Sequence, residues 1–129
     1  MKDNALKDLV YNIINKEEDF AFATSVISQT LKSSALRLDN SEFYEIVKEE
    51  PNFEECIELG VYVAGLVELI CNQLGVDTPK WVFNSCYFLD RRFCTLGGYE
   101  KIPKFIASNT LKVFSDRNYY TNERGLIND

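Results

Sequence analysis

Histidine is missing from the sequence altogether. Its absence removes Ser-His-Asp and Cys-His catalysis, imidazole metal ligands and imidazole pH switching together. Three prolines and six glycines in 129 residues are too few for a low-complexity chain. The four cysteines, Cys56, Cys71, Cys86 and Cys94, make no C-x-x-C pair, and no histidine is present to complete a mixed zinc site. They read as free thiols packed as small hydrophobes. Neither a P-loop nor a dinucleotide fingerprint is present, and Gly97-Gly98 is too short a signal for a phosphate cradle. The longest apolar run, Leu59 to Cys71, contains Glu68 and reads as too short for a membrane span. Met1-Lys2-Asp3-Asn4 carries acid where a secretory signal would be basic and then apolar. The expectation is a cytoplasmic protein in a reducing compartment.

What is present suits one domain with a real core. Hydrophobic residues make up 46% of the chain and aromatic residues 13%, including nine Phe and seven Tyr. A chain this long buries roughly two-thirds of its unfolded surface. The formal charge is −6, which argues against broad binding to nucleic acid or anionic membranes. Residues 1–76 hold six basic and fourteen acidic side chains, whereas residues 77–129 hold eight basic and six acidic. The acidic half is therefore suited to meet a basic partner, with charge mainly accelerating encounter.

Periodicity points to helices. Leu6, Leu9, Val10, Ile13 and Ile14 define an amphipathic helix over 5–15, with Asp3 or Asn4 available as its cap. Behind Glu17-Glu18-Asp19, a second pattern places Phe20, Ala23, Val26, Ile27 and Leu31 on one stripe. Ser33-Ser34 and Asp39-Asn40 mark 33–40 as a loop or frayed turn. A short helix from Ser41 turns Phe43, Ile46 and Val47 inward before Pro51 stops it. Residues 53–74 form the strongest element, apolar on most sides after Gly60 and therefore central, with Gly75 as its natural end. Thr78-Pro79 reads as the cap and first position of another helix, carrying Trp81 into the core. A loop with one helical turn is expected from Cys86 to Gly98. A helix follows over 103–114, with Phe105, Ile106, Leu111 and Phe114 inward, and the tail opens on a turn at 116–118. The expected fold is all-α, a single-domain irregular bundle of five to six helices around the 53–74 helix.

No catalytic constellation emerges. The doublets Glu49-Glu50 and Glu54-Glu55 do not converge, because neighbouring helical residues point in different directions. Arg91-Arg92 is the only adjacent basic pair. The expectation is no catalytic residue, no metal and no cofactor.

The order of landmarks resembles a largely uncharacterised family of small bacterial helical proteins whose genes often sit beside a nucleotidyltransferase-like toxin gene. The matching landmarks are Asp19-Phe20-Ala21-Phe22, Glu49-Glu50-Pro51, and the long apolar helix leading into Pro79-Lys80-Trp81-Val82. Tyr87-Phe88-Leu89 and Phe114-x-x-Arg117-Asn118-Tyr119-Tyr120 follow, with Leu126 beyond them. Together they span residues 19–126. Two features depart from the pattern: Arg92-Phe93-Cys94 stands where relatives carry Pro-Trp-Phe or similar, and the Gly97-Gly98 break is additional. No helix-turn-helix precedes residue 19, so autonomous nucleic-acid binding is not expected. The resemblance implies an antitoxin-like protein in a toxin–antitoxin system, which binds a protein partner such as a nucleotidyltransferase-like toxin and is not an enzyme. An acidic phage-type inhibitor of a nucleic-acid-binding defence protein is the alternative, and a homo-oligomer is compatible with either. Candidate partner-binding residues are Glu54, Glu55 and Glu58 on the acidic face, the Arg91-Arg92 pair, and Arg117 and Tyr120 in the closing pattern. Asn118 is assigned instead to a turn, where its short amide and tolerance of left-handed geometry are useful.

Overall fold

A computed structural model describes residues 5–16, 19–54 and 56–126. Among them are six α-helices and one two-stranded sheet, an all-α architecture. Helix α1 (Leu6–Asn15) buries Leu6, Val10 and Ile13. The expected caps Asp3 and Asn4 and the pair Glu17-Glu18 lie outside the described residues.

Helix α2 (Phe20–Arg37) begins at Asp19, whose Oδ1 accepts a hydrogen bond from the Phe22 N–H at 2.7 Å. It runs through the segment expected to be a loop. Ser34 and Ala35 prolong the buried stripe of Ala23, Ile27 and Leu31, so tertiary burial outweighs the local preference of serine for turns. Helix α3 (Asn40–Val47) starts one residue before the expected Ser41 because Asp39 and Glu42 form a reciprocal capping box.

Helix α4 (Ile57–Leu74) occupies the centre, packed against α2, α6 and the segment after it. Every residue from Leu59 to Val67 is buried. It begins at 57 rather than 53. Asn52 Oδ1 accepts from the Glu54 N–H at 2.9 Å, and Glu54 takes a left-handed φ of 53°, which breaks helical continuity. Close packing explains two of its glycines. A Cβ on Gly60 would lie 2.8 Å from the Tyr87 ring, and one on Gly65 would lie 2.6 Å from Phe114. Helix α4 is also long and apolar enough to cross a membrane by length and composition, which corrects the reading of the shorter Leu59–Cys71 run. Here 67% of it is buried inside the protein.

Beyond Gly75 the chain changes character. Pro79 leads into two 3₁₀ turns, Lys80–Phe83 and Ser85–Tyr87, rather than an α-helix capped by Thr78. Trp81 is buried and donates its indole N–H to Val47 O at 2.9 Å. Strand β1 (Phe93–Cys94) pairs in parallel with β2 (Tyr119–Tyr120), a contact between distant segments with no local signal. The expected 103–114 helix is two pieces, α5 (Lys104–Asn109) and α6 (Lys112–Ser115), separated at the extended Thr110. The Thr110 hydroxyl donates to Ile106 O and accepts from the Thr121 N–H, tying this break to the tail. Phe105, expected inward, is 61% exposed. Cys71 and Cys94 are core residues, and burial pushes the Cys71 thiol up to about 12. Cys56 and Cys86 are exposed, contrary to the expected apolar packing of all four.

Candidate interaction surface

The start of α4 and the turn after β1 meet at the surface. The Tyr99 hydroxyl donates to Glu58 on the first turn of α4, and its ring lies under the Arg91 guanidinium, 4.3 Å from the centroid. Phe93 meets the same ring edge-on at 5.1 Å and also contacts Phe20 and Tyr119. Tyr99 is thus 37% exposed yet restrained on several sides. Burial and the neighbouring Glu58 carboxylate push its phenol up to about 12. A cation over a tyrosine face contributes about 0.5–1 kcal/mol at an exposed site.

The candidate residues from the sequence fall into five situations, the fifth being that of Arg117. Glu58 and Arg91 come together through Tyr99. Arg92 stacks on a different ring, 5.5 Å from that of Tyr120, which stands on β2 opposite Cys94. Glu54 is exposed on the turn preceding α4. Glu55 lies outside the described residues.

Arg117 is the correction. Its side chain is 0% exposed, so it cannot form part of a contact surface in this fold. One Nη donates to Val82 O at 2.8 Å and Tyr87 O at 3.2 Å; the other pairs with Glu68 Oε1 at 2.7 Å. Phe88 covers the guanidinium at 4.4 Å. The group therefore holds both 3₁₀ turns against α4. A planar fork with five donors suits this task, since its separate N–H groups can satisfy several fixed acceptors at once. Its Nε has no hydrogen-bond partner among the described residues.

Asn118 holds the next step of the chain. It adopts φ 60° and donates its amide to Leu89 O at 2.7 Å, while its own carbonyl accepts from the Phe93 N–H. Tyr119 is fully buried against Tyr62, Phe93 and Phe114.

A second carboxylate anchors the tail. Glu123 accepts at Oε1 from the Tyr62 hydroxyl at 2.6 Å and from Ser28 at 3.2 Å. Its Oε2 pairs with Lys32 at 2.6 Å and accepts from the Arg124 and Gly125 N–H groups. Burial alone would raise this carboxyl, but hydrogen bonds from Lys32, Tyr62 and Gly125 outweigh it and hold the group below the ordinary range.

Sequence reasoning missed Tyr99, Phe93 and Glu123. The usable signal was weak: none stands in a motif, and each takes a decisive partner, Glu58, Phe20 and Tyr62 respectively, from a distant part of the chain. Some acidic residues of the first half are locally neutralised, as in the Lys7–Glu49 and Lys48–Glu45 pairs, both at 2.6 Å. Among the described residues no group of three or more Cys, Asp or Glu converges as a metal site.

The fold and surface define a small all-α domain with a restrained aromatic–charge cluster. No family model, curated protein or solved structure matches the chain.

Proposed function

We propose that this protein is a non-enzymatic, antitoxin-like binding module that engages a basic protein partner in the bacterial cytoplasm. The proposed contact is formed by the acidic approach to α4, Glu54 and Glu58, and by Arg91 with Tyr99. The observation that carries this reading is the restraint of Tyr99, which is exposed while Glu58 and Arg91 hold its hydroxyl and ring. Tyrosine and arginine dominate binding hot spots, and ordering them before contact reduces the entropic cost of association. The excess of acid in residues 1–76 supports a basic surface on the partner. Arg92 with Tyr120 extends the same composition nearby in sequence.

A photo-crosslinker placed at position 91 should capture a basic protein in cells of the native source, whereas one placed at the exposed Leu36 of α2 should not. The nucleotidyltransferase-like toxin is the specific candidate, tested by whether co-expression relieves its growth arrest. With the purified pair, Glu54→Lys with Glu58→Lys should lower the association rate about tenfold at low salt, and this difference should shrink as salt rises. Tyr99→Ala should chiefly speed dissociation. An association rate indifferent to salt, together with unchanged binding by Tyr99→Ala, would overturn the proposal.

A further inference from the structure

A cleft of about 240 Å³ opens between α2, α4 and the tail, one helical turn along α4 from the Glu58–Tyr99 contact. It is lined by Thr24, Ser25, Ser28, Tyr62, Thr95, Thr121 and Glu123. Six of these seven side chains carry a hydroxyl. They come from four separated stretches of chain and converge only because β1 and β2 bring residues 95 and 121 alongside each other.

The hydrogen bonding of this wall falls into two sets. Thr24, Ser28 and Tyr62 have already committed their hydroxyl protons, to Ala21 O and to Glu123, so towards the cleft they present oxygen lone pairs. Ser25, Thr95 and Thr121 make no side-chain hydrogen bond among the described residues and are free to donate as well as accept. Thr121 is the informative member, because its residue is only 5% exposed and yet its side chain faces the cleft unpartnered. Its hydroxyl is not fully enclosed but open to the cleft, where water or a ligand hydroxyl can satisfy it.

We infer that this cleft binds a small uncharged polyol of monosaccharide size. Each ligand hydroxyl both donates and accepts, which matches a wall containing both sets. An anion would meet the Glu123 carboxylate. A cation would meet Lys32, which already occupies Oε2 of Glu123 at 2.6 Å. The volume lies below the roughly 300–1,000 Å³ of drug-sized pockets, which sets the ligand's scale. The inference does not depend on the protein-binding reading.

The test is a titration of the ¹⁵N-labelled protein with D-glucose, D-ribose and myo-inositol, followed by amide chemical shifts. At least one should give saturable shifts centred on residues 24–28, 95 and 121–123. Thr121→Val preserves side-chain shape and removes a hydroxyl that makes no internal bond, so it should melt as the wild type does. Affinity in that variant should fall about three- to tenfold, the loss expected for one neutral hydrogen bond. The inference is overturned if none of the three compounds gives saturable shifts, if the shifts centre elsewhere, or if Thr121→Val binds as the wild type does.

Discussion

Between Leu6 and Leu74, four helices bury aliphatic stripes against one another, with α4 apolar on nearly every side. Between Lys80 and Leu126 the elements shrink to 3₁₀ turns, two helices of six and four residues and two paired dipeptides. The first region is held mainly by undirected apolar burial. The second uses directed polar attachments: Arg117 to Val82, Tyr87 and Glu68; Asn118 to Leu89; Glu123 to Tyr62 and Lys32; and Gln73 to Arg124 and Leu126. Short elements bury too little apolar surface to fix their own position, so side-chain-to-backbone bonds supply the geometry. Order in the helices therefore fails by loss of volume, and order in the C-terminal region by loss of single hydrogen-bonding groups.

The largest expected loss comes from Arg117→Ala. It leaves the partly buried Glu68 without its cation and two buried carbonyls without donors, and should cost about 3–5 kcal/mol. Thermal melting would measure this, and a melt equal to wild type would mean that the C-terminal region is not anchored there. Combining it with Glu68→Ala should destabilise by less than the sum, since the two share one interaction.

Leu66→Ala probes the other region. Leu66 is fully buried in α4, and its truncation should cost roughly 2–5 kcal/mol through lost burial and a residual cavity. Unlike Arg117→Ala, this loss should be partly recovered by Leu66→Met, because an apolar core tolerates substitutions that conserve volume.

Asn118→Ala combines a strained left-handed residue with loss of the bond to Leu89 and should cost about 1–3 kcal/mol in chemical denaturation. Asn118→Gly accepts the backbone geometry, so the difference between the two variants isolates the backbone contribution.

The Glu123 anchor makes the C-terminal region sensitive to pH. Its folded carboxyl lies below the ordinary value of 4.5, so its stabilising contribution is present in full above that value. The contribution is lost as pH falls through the lower folded value, because the unfolded chain then binds the proton more readily. Glu123→Gln should flatten this part of the acid limb and cost about 1 kcal/mol at neutral pH, read from melts across pH. The smallest effect belongs to Arg91→Ala, whose exposed side chain loses its contact with the Tyr99 ring and should change stability by about 0.5–1 kcal/mol.

Local patterns were sufficient for much of the helical region. The stripe Leu6–Val10–Ile13 and the apolar run of α4 identify those helices, because helical neighbours are only three or four residues apart. Boundaries were less legible where local and tertiary preferences compete, as at Ser34 inside α2 and Glu54 ahead of α4. The candidate surface was legible in part. Acidic residues and the Arg91-Arg92 pair stand out by composition, but nothing local indicates that Tyr99 joins Glu58 to Arg91.

By itself, the sequence determined that the chain is helical, centred on α4, acidic in its first half and without histidine chemistry. It also determined that Asn118 suits a left-handed turn, since that preference belongs to the residue. Only the tertiary structure decided that Arg117 points inward while Arg91 and Arg92 remain outside, although all three are the same residue type. Only it paired β1 with β2, gathered six hydroxyl-bearing residues around one cleft and brought Lys32 to Glu123. The physical reason is range: periodicity and capping act within a few residues, whereas these contacts form between distant segments once the α4-centred core brings them together.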